Sequence, residues 1–240
     1  MKRYSDKKTS LLTFNPEHGK SNMTDNIKKP LTRREREREQ HRQEILDAAE
    51  EIFSVKGIAT STIEDVAKKA DFAVGSIYNF FSGKEELIRQ VFMRLAKSRI
   101  ADIEETVLPI LDQPVVALRA LTELWVSHHA RHGAFLKMAF VSRMAEGRGP
   151  GSPCEDSEMR TYMEQYEAIG CRFFEAGIQA NAFHKIPPAH LLLIFDGICR
   201  TFLFSWERKH DTRPKPELTD ELFNTIHVAI TGKLLEKKMK

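Results

Sequence analysis

Apolar residues spaced three and four positions apart recur along this chain, and this spacing constrains its fold more than any other feature. Residues at that spacing share one face of a helix, whereas a half-buried strand requires strict alternation. No segment shows convincing alternation, so the sequence predicts an all-α protein. The first such segment carries its apolar residues at Ile45, Leu46, Ala49, Ile52 and Phe53.

About nine helices are predicted from this periodicity and from the residues that bound each helix. Thr32 and Glu35 have the spacing of a capping box, which begins the first helix, and Gly57 ends it. Gly133 is predicted to separate two helices in the middle of the chain. The predicted helices span residues 33–56, 63–70, 74–80, 84–105, 114–131, 134–146, 156–180, 188–208 and 217–237.

Two segments carry no helical pattern. Residues 1–31 mix Lys, Ser, Thr, Asn and Pro without periodicity, which predicts a disordered tail, and either Met1 or Met23 is consistent with the start of translation. Residues 147–153, rich in Gly and Pro, predict a loop.

The composition is that of a globular protein, with 41% hydrophobic and 30% charged residues, and its net charge of +3 does not by itself indicate nucleic acid. The three cysteines are widely spaced, and His128 and His132 lack a third ligand at a fixed offset, so we predict no metal site and no cofactor. No apolar segment approaches the ~20 residues that span a bilayer, and the N-terminus lacks a secretory pattern, so a cytoplasmic location is expected.

Residues 60–84 contain two short helices joined by a tight turn. Thr62 is a good N-cap for the first helix, and Asp71 to Ala73 form the turn before the second helix. A helix-turn-helix places its second helix in the DNA major groove. An ordinary helical hairpin with Tyr78 packed in the core is the alternative. The residues predicted to contact DNA are Thr60, Thr62, Val74, Gly75, Ser76, Tyr78, Asn79 and Lys84.

These predicted contacts follow from the chemistry of the side chains. Small residues at Gly75 and Ser76 let the backbone approach DNA, while the Tyr78 hydroxyl and the Asn79 amide can bond phosphates or base edges. Val74 offers an apolar group for a thymine methyl.

The segment I-L-D-A-A-E-E-I-F and the following G-I-A-T-S-T-I-E-D-V-A-K-K-A-D-F-A-V-G-S-I-Y-N-F-F-S-G-K-E-E-L-I closely resemble the DNA-binding domain of the TetR family of transcriptional regulators, over about residues 40–90. The resemblance implies that Tyr78 and Lys84 contact phosphates. Four residues depart from the family pattern. Val74 replaces a residue that is frequently polar, and Ser82 replaces a residue that is often Lys or Pro. Asp71 replaces the usual turn glycine, and Phe80 replaces a residue that is often His or Tyr, so packing is expected for Phe80.

The resemblance also implies a domain organisation, with a helix-turn-helix domain at 32–84, its motif at about 61–80, and a helical effector-binding and dimerisation domain at 85–240. The effector is expected to be a small, largely apolar or aromatic molecule, although the same side chains are also typical of a plain core. The predicted pocket residues are Trp125, His129, Phe140, Met144, Tyr162, Tyr166 and Phe174.

Residues 188–208 are apolar nearly all round, and residues 217–237 offer a second apolar face. Paired with their copies in a second subunit, these helices would form a four-helix homodimer interface, with burial inside one subunit as the alternative.

Together these features predict a ligand-responsive regulator, a repressor rather than an activator, that binds a pseudo-palindromic operator as a dimer. One competing class is an all-helical protein-interaction module that does not bind DNA. The other is an enzyme. The segment G-S-I-Y-N-F-F-S-G-K only superficially resembles a phosphate-binding loop, since Glu rather than Ser or Thr follows its lysine, and we therefore predict no enzymatic activity.

Overall fold

The computed structural model describes residues 32–145, 157–208, 213 and 215–233, without the side chains of residues 139–145 and 207. The predicted tail at 1–31 and the predicted loop at 147–153 lie outside the described residues. Within them the protein is all-α, as predicted. Its helices are α1 (Arg33–Lys56), α2 (Ile63–Ala70), α3 (Val74–Tyr78), α4 (Lys84–Thr106), α5 (Pro114–Ala145), α6 (Ser157–Gln179), α7 (Pro188–Arg208) and α8 (Lys215–Thr231), with a 3₁₀ turn at Leu108–Ile110.

Helix α5 differs from its prediction, because the break expected at Gly133 is wrong and one helix of 32 residues runs through it. The ring of His129 occupies the space beside Gly133, within 2.7 Å of where a Cβ would lie. A glycine inside a helix costs only about 1 kcal/mol relative to alanine. Packing of the residues before and after Gly133 therefore outweighs the tendency of glycine to end a helix. Two predicted helices are therefore one.

Two helix ends also differ. Helix α3 ends at Tyr78 rather than near residue 80, because Asn79 and Phe80 donate to the carbonyls of Ser76 and Ile77 and so form a tighter turn. Helix α8 ends at Thr231 rather than near residue 237. Gly232 adopts a left-handed φ of 70° and donates to the Val228 carbonyl at 2.9 Å, which is a glycine C-cap.

The buried apolar residues form two clusters. One belongs to the head, made by α1 to α3 and the first half of α4, and it contains Phe53, Ile77 and Leu87. The other belongs to the body, made by the rest of α4 and α5 to α8, and it contains Phe174 and Phe195. Helices α4 and α5 contribute to both clusters, so they connect the head to the body.

Helix α7 contains a 19-residue segment, Pro188–Trp206, that is long and apolar enough to span a bilayer by length and composition. The expectation that no segment approaches this length is therefore wrong. Leu191, Phe195 and Cys199 of this helix are nevertheless buried in the body cluster. Its opposite face carries Leu193, which is 69% exposed. Helix α7 thus packs one face in the core and leaves apolar residues on its opposite face.

Candidate functional site

Helix α2 begins with a complete capping box. The Thr62 hydroxyl accepts from the Asp65 backbone N–H at 3.2 Å, and the Asp65 carboxylate accepts from the Thr62 N–H at 3.1 Å. Asp65 also forms an ion pair with Lys56 of α1. The hydrogen bond from Lys56, followed by that from the Thr62 backbone, lowers the pKa of Asp65. The start of α2 is therefore fixed both locally and against α1.

The turn between α2 and α3 depends on Asp71, which adopts a left-handed conformation with φ 60° and ψ 40°. The next residue, Phe72, donates its N–H to the Ala67 carbonyl at 2.9 Å. This is the conformation for which glycine is usually selected, and aspartate tolerates it better than most residues do. The turn that the sequence predicts is therefore present with Asp71 in place of glycine.

Helix α3 has one buried face and one open face. Ile77 is fully buried in the head cluster, whereas Tyr78 is 53% exposed and Asn79 is exposed. Nothing lies within 4 Å of the position where a Cβ of Gly75 would stand. Val74 and Ser76 are half-buried at the edge of this face. Tyr78 therefore does not pack in the core as the alternative interpretation requires.

Thr60 and Thr62 are exposed, close to the start of α2, and the Thr60 hydroxyl donates to the Lys56 carbonyl. Lys84, the first residue of α4, donates from Nζ to the Ser61 carbonyl at 2.7 Å. Its ammonium group therefore lies beside the loop that precedes α2. Because a lysine has several N–H donors, this bond leaves room for a phosphate at the same group.

Phe80 packs as expected rather than facing solvent freely. It is half-buried, and the guanidinium of Arg38 in α1 lies 5.5 Å from the centre of its ring. A second pair is formed in the same way by Arg42 over Phe81, at 5.4 Å. These two cation–π contacts attach the arginine-rich part of α1 to the end of the helix-turn-helix, a role that the charge pattern alone did not indicate.

The head is joined to the body by contacts of α5. Phe135 is fully buried in the head cluster and stacks on Phe53, with 6.4 Å between the ring centres. The ring of His132 bonds to the carboxylate of Glu50 in α1. Arg94 of α4 binds the same carboxylate at 3.0 Å. Displacements of α4 or α5 in the body therefore reach the head directly.

The body contains a group of buried and half-buried polar and aromatic side chains, the Arg99 cluster, formed by α4 to α7. Its members are Arg99, Trp125, His128, Tyr162, Tyr166 and Asp196. The Arg99 guanidinium donates from Nη2 to the Tyr162 hydroxyl at 2.6 Å. It lies 5.0 Å from the Trp125 ring centre and 4.6 Å from that of Tyr166. The Tyr166 hydroxyl donates to Asp196 at 2.7 Å.

The electrostatics of the Arg99 cluster are set by burial. Burial opposes the charge of Arg99, but the oxygens of Tyr162, Tyr166 and Asp196 outweigh it and raise the Arg99 pKa. Burial raises the pKa of Asp196. Burial, and then the charge of Arg99, lowers the pKa of His128 to about 4, so its imidazole is neutral near pH 7.

Three buried polar atoms in the Arg99 cluster have no hydrogen-bond partner. They are Arg99 Nε, Trp125 Nε1 and His128 Nε2. Buried polar groups in proteins are nearly always paired, so such an atom requires an explanation. Neither Arg99 nor Asp196 is among the site residues predicted from the sequence. Asp196 does carry a signal, because it is an acidic residue within an otherwise apolar segment of α7.

A separate cavity of about 570 Å³ lies where the end of α1 meets α5, α7 and α8. Apolar side chains line most of it, including Val126, Leu203 and Trp206, and His129, Lys137 and Lys215 supply polar groups. Ser54 of α1 also lines it, so the cavity touches the head as well as the body.

The predicted pocket residues fall into different places. His129 lines the cavity. Trp125, Tyr162 and Tyr166 belong to the Arg99 cluster, and Phe174 is fully buried near them in the body cluster. The side chains of Phe140 and Met144 lie outside the described part of the structure. The rings of His128 and His132 lie 4.9 Å apart, and within the described residues no three His, Cys, Asp or Glu side chains are grouped as metal ligands.

Comparisons with known proteins agree with this geometry. The sequence model for "Bacterial regulatory proteins, tetR family" matches residues 45–91. The HTH-type transcriptional regulator YhgD of Bacillus subtilis is 28% identical over 170 residues, which cover 69% of this chain and 84% of YhgD. The HTH-type transcriptional repressor KstR2 of Rhodococcus jostii is 27% identical over 93 residues, 39% of this chain and 46% of KstR2.

The fold also matches solved structures. The fatty acid degradation regulator FadR of Bacillus halodurans superposes with a TM-score of 0.65 at 15% identity, over 78% of this chain and 94% of FadR. At this identity the likeness concerns the fold alone. The match includes the body as well as the head, since it extends far beyond residues 45–91.

Proposed function

Because the chain belongs to the TetR family of transcriptional regulators, we propose that it is a cytoplasmic repressor that binds a pseudo-palindromic operator as a homodimer and is released by a small-molecule effector. The observation that carries the proposal is the open face of α3. Gly75, Tyr78 and Asn79 are exposed there while Ile77 anchors the helix in the head. The chain is accordingly a regulator and not an enzyme.

The residues of this face divide into two roles toward DNA. Tyr78 and Lys84, with Thr60 and Thr62 at the start of α2, would bind phosphates and so fix the head on the duplex. Gly75, with Val74, Ser76 and Asn79 beside it, would approach the base edges in the major groove. Affinity would come mainly from the phosphate contacts and fall steeply with salt.

Selection of the full-length protein against random duplex DNA tests the operator. It should enrich an inverted repeat whose half-sites lie about one helical turn apart, on the order of 34–36 Å. If no symmetric motif is enriched, the alternative of a protein-interaction module is favoured. The variant Gly75→Glu should fold, because the position has free space around it. It should abolish binding to the selected duplex, because its carboxylate would face the negatively charged DNA. The variant Val116→Glu adds the same charge on the exposed start of α5 and should bind as the wild type does.

The dimer is proposed to form through α7 and α8. Leu193 and Ile194 on α7 are 69% and 36% exposed, and Val228 on α8 is 40% exposed. Gly197 lies on the same helix with nothing within 4 Å of a Cβ position, which permits close approach of a second helix. An apolar face of this kind on two adjacent helices is typical of a four-helix interface.

Sedimentation of charge variants tests this interface. Leu193→Glu and Val228→Glu should each shift the protein from dimer to monomer at micromolar concentration, because each would bury a carboxylate in an apolar interface. Val116→Glu, which adds the same charge at a 53% exposed valine of α5, should remain dimeric. A wild-type monomer, or dimers that persist in both α7 and α8 variants, would refute the proposed interface.

Release by an effector is proposed to act through α4 and α5. Both helices run through the body, and both contact the head, through Arg94 and Phe135. A ligand that changes how α4 packs in the body would therefore change the spacing of the two α3 helices in the dimer. Cross-linking of α4 to α5 by engineered disulfides should make operator affinity insensitive to any ligand that the wild type responds to.

A further inference from the structure

We propose that the Arg99 cluster binds the carboxylate of a small aromatic acid and that this acid is the effector. That the acid acts as an effector rests on the proposed function, whereas the binding site itself does not. The aromatic acid would be held by side chains of α4, α5, α6 and α7.

The first observation is the charge of Arg99. Its guanidinium lies against the rings of Trp125 and Tyr166 with Nε buried, and its Nη2 donates to the hydroxyl of Tyr162. The nearby carboxylate of Asp196 accepts instead from Tyr166. A buried guanidinium is stabilised best by a planar oxyanion that accepts from two of its N–H groups. A ligand carboxylate supplies that group.

The second observation is that the unpartnered atoms suit a carboxylate. Arg99 Nε and Trp125 Nε1 both carry donor hydrogens and lack partners, and the guanidinium lies over the indole ring. Each of these donors suits an oxygen of a ligand carboxylate. The uncharged His128 bonds the Leu95 backbone through its ring and leaves Nε2 unpartnered as an acceptor. It would accept from a ligand hydroxyl adjacent to the carboxylate.

The third observation is the aromatic surroundings, which favour an aromatic ligand. Trp125 meets Phe195 edge to face with 6.2 Å between the ring centres, and Phe174 lies 6.2 Å from the same Phe195. The rings of Tyr162 and Tyr166 stack on each other with 6.2 Å between their centres. Aromatic rings pack well against such walls in offset or edge-to-face arrangements.

Binding there would act on the helix that leads to DNA. Arg99 lies on α4, whose first residue is Lys84. On the same helix, Lys97 binds Glu158 of α6 at 2.7 Å, so α4 is already held against α6 close to Arg99. A ligand carboxylate that attracts the Arg99 guanidinium would therefore move α4 relative to α6.

Titration of the full-length protein with matched probes tests the site. We would measure binding of phenylacetate and of phenylacetamide, which differ only in the charged group, by calorimetry. Phenylacetate should bind about tenfold more tightly, as expected for a charge-assisted bidentate contact. Addition of an ortho hydroxyl, in 2-hydroxyphenylacetate, should tighten binding further in the wild type but not in His128→Phe.

Three variants locate the contact. Arg99→Met should bind both probes equally, since it keeps an unbranched side chain and removes the charge. Trp125→Phe should weaken binding of phenylacetate several-fold and that of phenylacetamide by less, and this variant replaces Arg99→Met in the test if Arg99→Met does not fold. Ala130→Met narrows the separate cavity between α1, α5, α7 and α8 and should leave both affinities unchanged.

The site is refuted if neither probe binds, if both bind equally to the wild type, or if Ala130→Met rather than Arg99→Met removes the preference for phenylacetate. Operator affinity is measured in parallel with the selected duplex. If phenylacetate binds through Arg99 without changing operator affinity, the assignment as an effector is wrong and the site stands. If no operator is selected at all, the proposed function fails while the probe result still decides the site.

Discussion

Replacing His128 with asparagine is predicted to make the fold less sensitive to acid. His128 is only 5% exposed, and burial together with the charge of Arg99 lowers its pKa to about 4. In the unfolded chain the same imidazole has a pKa of about 6.5. Between these two values the unfolded state binds a proton that the folded state does not, so the stability contributed by His128 falls as the pH falls.

The size of the effect follows from the two pKa values. Linkage gives a decrease in stability of about 2 kcal/mol between pH 8 and pH 5, and residual solvent screening brings the expected value to about 1–2 kcal/mol. Asparagine does not titrate in this range, and its amide can donate to the Leu95 backbone as the imidazole does. The variant is expected to be less stable at pH 8 because it loses ring packing, but its pH dependence should be shallower by that amount.

Urea unfolding at fixed protein concentration, at pH 8 and pH 5, measures the difference. His190→Asn, the same substitution at a histidine exposed on α7, is the matched control. If His128→Asn and the wild type lose the same stability on acidification, His128 is not held neutral by its surroundings and the electrostatic description of the Arg99 cluster is wrong.

Three further substitutions test the packing of the head and body by urea unfolding. Thr62→Ala removes the N-cap of α2 and should cost about 1 kcal/mol of stability. The control Thr225→Ala, on the exposed face of α8, should change stability by less than about 0.5 kcal/mol. Equal effects of the two substitutions would contradict the assignment of Thr62 as the N-cap. Asp71→Gly should stabilise the protein by up to about 1 kcal/mol, because glycine adopts the left-handed conformation without strain, and a decrease would show that the aspartate side chain is needed. Gly177→Ala should destabilise by about 1–3 kcal/mol, since its Cβ would lie 2.0 Å from the ring of Phe183, and an unchanged midpoint would mean that the ring moves aside freely.

The features of the head that could be predicted from the sequence depend on residues close together in the chain. The capping box of α1 and the N-cap Thr62 of α2 are both predicted from the sequence, each involves residues three apart, and both are present in the structure. The left-handed turn at Asp71 also depends on a single residue and its neighbours. Short-range hydrogen bonds of this kind can be inferred from residue types, because the chain cannot avoid bringing such residues together.

The continuity of α5 could not be predicted, because it depends on contacts between distant parts of the chain. Gly133 signals a helix end locally, but the helix continues because Phe135 is buried against Phe53 of α1. The burial of that ring stabilises the helix by more than the glycine costs. Only the tertiary arrangement shows that a body helix completes the core of the head.

The Arg99 cluster could be predicted only in part, for a related reason. Trp125, Tyr162 and Tyr166 are expected to line a pocket because they are large aromatic side chains, and the structure does bring these three together. The polar groups among them, Arg99 and Asp196, come from α4 and α7, and no spacing in the sequence relates these two helices. Which side chains meet inside a helical body is decided by packing between helices, so the chemistry of its interior required the structure.

The salt dependence of operator binding shows whether the exposed face of α3 and the start of α4 hold DNA phosphates, as the proposed function requires. Fluorescence anisotropy with the selected duplex should give a linear fall of log affinity with log salt concentration for the wild type. Tyr78→Phe should weaken binding at every salt concentration, because it removes the hydroxyl that is proposed to bind a phosphate. Lys84→Met should reduce the slope by about 0.9 for each phosphate that the lysine no longer neutralises, or about twice that in a symmetric dimer. If both variants gave the slope and the affinity of the wild type, these residues would not hold the phosphates and the assigned DNA-binding face would be wrong.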